Sequence, residues 1–400
     1  LHFKSSVSDS GLGLLMGVPM VAQTKGTMMT KIHGFTSDDF APLRTAFADC
    51  FAMGQHGGSV AVVHRGVVVA ELWGGSSDAA GLRPWQQDTL VNVWSCTKGI
   101  AAVALAILVD RGLVDYDAPL ARYWPEFGAG GKGDITVAEA LSHQAGVHGL
   151  SVPMDLAGLY AGGPFAQALA AMEPLWPPRS RWVYHPIALG TLVAEPLRRI
   201  TGQSFGAFLA NEIARPLGAD IFVGLPEQEE HRVAEMVEGP GAADGVAVTL
   251  AGAYPHGWQN PTIRATEPNT RAWRAAEIPG ANGQATAKAL ALIYGDLVSG
   301  ASKLLSPGAL AQATKLRFDG VDAEDAAPVA FAAGFSLMPA HARPGAFGHA
   351  GWGGAFGFAD PTEGFGIGYA TNHMLGFADG VDPRRKALVD CIYAVLDGLK

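Results

Sequence analysis

VNVWSCTKGIAAVALAILVDRG, residues Val91–Gly112, is the stretch from which the rest of the chain can be ordered. From Lys98 onward it is Ala- and Leu-rich and apolar nearly all round, and Gly112 stops it. This predicts a buried helix over Lys98–Gly112. Ser95 stands at its N-terminal end, in the only Ser-x-x-Lys of the chain. Residues three apart on a helix are separated by roughly 4.5 Å of rise and lie on neighbouring faces, so the Lys98 amine can reach the Ser95 hydroxyl. A serine hydroxyl is a poor nucleophile until a base takes its proton. Burial against an apolar helix favours the neutral amine, which can act as that base. The unpaired N–H groups at the helix start favour negative charge developing on a substrate oxygen. The alternative is an N-cap serine followed by a solvated lysine.

Two further segments accompany this one. Arg181-Trp182-Val183-Tyr184-His185-Pro186 precedes a predicted helix at Ala188–Ile200. Tyr184 is a candidate proton relay, provided that a neighbouring cation such as Lys98 lowers its ordinary pKa; otherwise it is a core aromatic. Gly348-His349-Ala350-Gly351-Trp352-Gly353-Gly354 is a glycine-rich run on a predicted strand, Phe347–Ala359. Such runs mark close backbone approach or a bulge. A strand edge beside the nucleophile would offer the Trp352 N–H as an oxyanion donor paired with that of Ser95. Trp182 and Trp352 are expected as apolar side chains at the mouth of a cleft, with His349, Gly351 and Gly353 as further substrate contacts.

The chain around these segments is long and apolar. With 400 residues, 48% hydrophobic and 16% charged, it can bury an extensive core. Its 28 basic and 37 acidic side chains, net charge -9, lack the basic stripe that nucleic-acid binding requires. Cys50, Cys96 and Cys391 are scattered and odd in number, which suggests neither a disulfide framework nor a zinc cluster and favours a reducing, cytoplasmic setting. Cys96 reads as a buried small hydrophobe. His143 and His148 are assigned a structural turn role. Gly11–Val21 is too short to span a membrane, and residues 1–28 read as a leader or expression scar.

Ser59–Leu72, broken at Arg65-Gly66, predicts an edge-forming β-hairpin. Helical segments follow at Ile135–Leu141, Ala188–Ile200, Phe205–Ile213 and Thr286–Val298. Strands are expected at Phe347–Ala359 and Gly364–Ala370, and a closing amphipathic helix at Arg385–Leu399. Pro226–Pro279 shows no clear periodicity. Strands at both ends around a helical middle imply a discontinuous α/β domain, residues 29–115 and 280–400, with a mainly helical lobe, 116–279, inserted in it. The cleft between them would hold the chemistry.

Taken in order, these segments resemble the serine β-lactamase and penicillin-binding-protein superfamily, particularly the branch holding family VIII carboxylesterases, AmpC-type β-lactamases and D-alanyl-D-alanine peptidases. The resemblance extends to Ile135–Leu150, Pro216–Gly218, Ala281–Ala287 and Leu304–Pro307, and covers roughly residues 40 to 398. It implies a central antiparallel sheet flanked by helices, Ser95 as acylated nucleophile, Lys98 as its basic partner and Tyr184 as relay. It also places His349-Ala350-Gly351 where relatives have Lys-Thr-Gly or His-Thr-Gly. Two departures point to neutral substrates: Pro186 stands where lactam- and peptide-cleaving relatives commonly have an amide-binding Asn, and His349 is a poorer carboxylate anchor than lysine. Trp352-Gly353-Gly354 is similar to the Trp-Gly-Gly of the esterase branch. The reading is hydrolysis of short- to medium-chain carboxylic esters, with no metal, organic cofactor, nucleic acid or membrane span. Alternatives on the same scaffold are a β-lactamase, a D-alanyl-D-alanine peptidase or linear amide hydrolase, and a non-catalytic penicillin-binding-like module.

Overall fold

The structure, a computed structural model, describes residues 30–242, 256–337, 339, 341–376 and 381–400. The segment read as a leader therefore lies outside the described residues.

Six strands form the main sheet: β1 (Ile32–Thr36), β2 (Gly57–His64), β3 (Val67–Gly75), β4 (Phe347–Ala350), β5 (Phe356–Asp360) and β6 (Phe365–Thr371), in the spatial order β1-β3-β2-β6-β5-β4 and antiparallel throughout. β2 and β3 are the predicted hairpin, turned by Arg65 and Gly66, both with positive φ as a two-residue primed turn requires. The hairpin is not an edge, however. β1 pairs along β3, and β2 pairs along β6 with Val62 opposite Ile367, so the hairpin lies inside the sheet. β1 was missed because IHGFT is too short and mixed to show an alternating pattern.

Period-two alternation sorts the two faces. Val60 and Val62 of β2 and Phe365, Ile367 and Tyr369 of β6 join one apolar cluster. That cluster is completed by Leu43 and Phe47 of helix α1 (Pro42–Ala52) and by Leu388, Ile392 and Tyr393 of the closing helix. Ala61 and Val63 point the other way, onto Ala291.

The opposite face carries helix α2 (Cys96–Asp110), helix α3 (Ala188–Thr201) packed on α2, and helix α4 (Ala287–Leu297) lying across β2, β5 and β6. Close approach of α4 needs glycine: a Cβ on Gly368 would sit 2.1 Å from the Ala287 carbonyl. Helix α5 (Pro383–Gly398) closes the chain beside α1. α2 is buried from Cys96 to Leu108, which explains its lack of a polar face. Between residues 116 and 279 short helices predominate, including Val137–Leu141 with a Thr136/Glu139 capping box. No helix among the described residues is long and apolar enough to cross a membrane.

The strand expected over Phe347–Ala359 divides in two. It breaks at Trp352–Gly354, a single 3-10 turn in which Gly353 and Gly354 have φ of 81° and 131°. The glycines that read as a strand weakness are the turn itself.

Candidate active site

Ser95 occupies the N-cap position of α2, but its hydroxyl makes no capping bond. Lys98 Nζ lies 2.9 Å from Ser95 Oγ and is 2.7 Å from the Gly280 carbonyl oxygen. The lysine is 0% exposed, so the alternative of a capping serine beside a solvated lysine does not describe the structure. Desolvation holds the Lys98 amine well below the ordinary lysine value. With one N–H taken by Gly280, the lone pair of a neutral amine is free to face the Ser95 hydroxyl.

The Gly280 carbonyl was not anticipated, and it is placed with care. Asn282 accepts from the Ile278 N–H and donates to the Trp273 and Ala276 carbonyls. Asn92 Nδ2 donates to the Ala281 carbonyl, and the Gly283 N–H donates to Thr97 Oγ1 on α2 itself. A Cβ on Gly190 would fall 2.2 Å from the Gly280 nitrogen, so α3 butts directly on this loop. The sequence signal was the Ala281–Ala287 block, in which the buried Asn282 amide bonds the surrounding backbone and Gln284 donates to Asn92 Oδ1 and the Asn282 carbonyl.

Tyr184 brings its hydroxyl beside Ser95 and within 3.4 Å of His349 Nε2. The Lys98 amine lies 4.8 Å from the Tyr184 ring centroid. Burial pushes the Tyr184 pKa up and not down, with no lowering by Lys98 beside it, so the expected acidified phenol is not what the surroundings favour. The Tyr184 backbone is pinned on both sides. His148 Nδ1 donates to the Tyr184 carbonyl at 2.5 Å, and the His185 N–H donates to His143 Nδ1 at 2.9 Å. His143 has φ +65°, in keeping with its turn role.

His349 is 5% exposed, and its Nδ1 lies 2.7 Å from the Ala350 carbonyl. A carbonyl only accepts, so Nδ1 carries the proton. Burial, with Lys98 nearby, pushes its pKa down to about 3, which leaves Nε2 as a neutral acceptor towards Tyr184.

β4 ends against the turn that carries Ser95. A Cβ on Gly351 would sit 2.3 Å from the Val93 carbonyl oxygen and 3.3 Å from Cys96 Sγ, so no side chain fits there. The next residue, Trp352, packs its ring 4.8 Å from that of Trp94, which precedes Ser95 with φ +49°. Neither the Ser95 nor the Trp352 amide donates to a protein acceptor among the described residues. Gly353 is buried at the turn. Cys96 is fully buried with its thiol pushed up to about 12, inert beneath the site.

One expected contact is displaced. Trp182 is 2% exposed and packed against His143, Phe331 and Phe318 at centroid distances of 5.1, 5.1 and 6.0 Å. It forms a wall behind Tyr184, not the mouth of a cleft, because the strand pair Phe318–Val321 and Pro328–Phe331 covers it.

Residues 44–390 match the family described as Beta-lactamase. The chain is 34% identical over 364 residues to the esterase/beta-lactamase LipL of Mycobacterium tuberculosis, covering 86% of this chain and 84% of that protein. It is 30% identical over 370 residues to the esterase EstB of Burkholderia gladioli, covering 84% and 91%. The crystal structure of a family VIII carboxylesterase superposes with a TM-score of 0.85 at 39% identity, over 91% of this chain and 100% of the other.

Proposed function

The chain belongs to the beta-lactamase family, and from that membership and the site geometry we propose that it is a carboxylesterase working through a Ser95 acyl-enzyme. The observation that carries the mechanism is the buried Lys98 amine, 2.9 Å from the Ser95 hydroxyl and 4.8 Å from the Tyr184 ring centroid.

In the first step Ser95 Oγ attacks the ester carbonyl while its proton passes to the neutral Lys98 amine. The tetrahedral oxyanion is held by the N–H groups of Ser95 and Trp352. Collapse breaks the bond to the alcohol oxygen, which leaves with the Tyr184 hydroxyl proton. The Tyr184 oxygen then takes a proton back from the Lys98 ammonium, whose nitrogen lies 4.8 Å from the phenol ring centroid. Water then attacks the acyl-enzyme along the same route, returning Ser95 and releasing the acid. None of these steps calls for a metal or organic cofactor.

Preference for esters over lactams and peptides rests on the substrate side of the cleft. His349 is neutral and mostly engaged with Tyr184 and Ala350, so it offers no charge to a substrate carboxylate. Pro186 has no side-chain donor for an amide carbonyl. EstB is named an esterase, and LipL an esterase/beta-lactamase. Gly351 and Gly353 line the approach as backbone, and Trp352 supplies an apolar wall for a short or medium acyl chain. All three cysteines are free, which fits a cytoplasmic setting.

Steady-state comparison of p-nitrophenyl butyrate with nitrocefin decides the substrate class. A higher kcat/KM for the ester is expected; a higher value for the lactam would make the protein a β-lactamase on the same nucleophile.

A further inference from the structure

The first turn of α5 breaks a general rule. Cations are disfavoured at a helix N-terminus, yet Arg384 and Arg385 stand there side by side, capped by Asp382. Their donors converge on one target, the Gly351–Gly354 turn that follows β4. Arg385 Nη2 donates to the Gly351 carbonyl at 2.5 Å and its Nε to the Gly354 carbonyl at 2.8 Å. Arg384 Nη2 donates to the Gly353 carbonyl at 2.9 Å.

The two arginines differ in how their charge is balanced. Arg384 holds both Asp382 oxygens, at 3.0 and 2.7 Å. Arg385 comes no nearer than 4.0 Å to that carboxylate, so its charge is spent mainly on the two carbonyls. Its partner Gly351 abuts the turn before α2, where an added Cβ would meet the Val93 oxygen at 2.3 Å and Cys96 Sγ at 3.3 Å, so the guanidinium holds the peptide beside Ser95.

The Gly351 carbonyl and the Trp352 N–H are opposite ends of one planar trans peptide, so whatever fixes the oxygen aims the N–H. We propose that Arg385 is a positioning residue for the oxyanion site: by holding the Gly351 carbonyl it sets the plane of the Gly351–Trp352 peptide and polarises its N–H towards the substrate oxygen. The inference rests on the assignment of the Trp352 N–H as an oxyanion donor. A charge-assisted bond to the carbonyl draws electron density from the amide nitrogen, and a donor polarised in this way binds an anion more strongly than it binds a neutral ester carbonyl. The benefit therefore falls on the tetrahedral state and leaves ground-state binding unchanged.

Arg385→Met and Arg385→Lys test this with two readouts: steady-state hydrolysis of p-nitrophenyl butyrate, and inhibition by phenylboronic acid, which forms a tetrahedral adduct with a nucleophilic serine. Loss of a direct oxyanion donor costs on the order of 100- to 1,000-fold, so loss of its support should lower kcat by about 10- to 100-fold. KM should stay within about twofold, boronate affinity should fall in parallel with kcat, and Arg385→Lys should recover part of both. Unchanged kcat, or a loss appearing in KM with boronate affinity intact, overturns the proposal. Should Arg385→Met fail to fold, as judged by its melting curve, Arg385→Lys is read by the same criteria. Boronate that ignores the wild type, or binds Ser95→Ala equally well, removes the underlying nucleophile assignment, an outcome distinct from an insensitive Arg385 variant of an enzyme that does bind it.

Discussion

The fully buried Lys98 amine and the Gly280 carbonyl oxygen are 2.7 Å apart. This contact gives a neutral amine one acceptor for an N–H and leaves its lone pair for Ser95. It offers an ammonium little: one neutral carbonyl is poor compensation for a buried charge, and no carboxylate among the described residues pairs with Lys98.

The pH dependence follows from that. Activity needs the unprotonated amine, so kcat/KM should rise with pH through the Lys98 pKa, and this acid limb should lie well below 10.5. Tyr184, pushed up by burial, should not ionise on the alkaline side up to about pH 10. A pH profile with p-nitrophenyl acetate checks both; an acid limb centred near the ordinary lysine value would remove Lys98 as the base.

Lys98→Met should abolish turnover and yet stabilise the fold. The folded-state pKa is depressed, so between the folded and unfolded values the unfolded chain binds more protons and the native state carries a cost that deepens as pH falls. Methionine removes it with similar volume. At pH 7 the melting temperature should rise by roughly 1–3 °C. A fall of several degrees would show that the amine contributes to stability.

Tyr184→Phe keeps the ring packing on His143 and removes the proton donor. Loss of general acid catalysis typically costs about 100- to 10,000-fold, and the cost should track leaving-group basicity: large for ethyl butyrate, small for p-nitrophenyl butyrate. Equal losses on both esters would make Tyr184 a structural residue.

Gly351→Ala introduces a Cβ 2.3 Å from the Val93 oxygen and must push β4 away from the nucleophile turn. Overpacking of this kind costs about 1–3 kcal/mol, visible as a lowered denaturation midpoint, and the displaced Trp352 amide should cost activity as well. A variant with wild-type kcat and stability would show that this approach is not needed.

What the sequence made legible was the chemistry carried by adjacent residues. Ser95, Lys98 and the buried helix sit within one turn, so spacing and apolar content suffice to read them. Relations made by tertiary contact were not legible. The Gly280 carbonyl reaches Lys98 from 182 positions away and carries no side chain to mark it. Arg385 meets Gly351 across 34 positions, and in sequence it is simply a charge at a helix start. Trp182 reads as an apolar side chain at the cleft mouth; the strand pair that covers it is not legible from local pattern. The upward push on the Tyr184 pKa was not legible for a related reason, since the burial of the phenol that causes it is a property of the tertiary fold.

The most direct test is the mass of the protein trapped with a slowly hydrolysed ester. The account predicts one added acyl group, on the peptide containing Ser95, and none on Ser95→Ala, whose turnover should fall roughly 10,000-fold or more with its melting temperature unchanged. An acyl group on any other residue, or sustained turnover by Ser95→Ala, would contradict it.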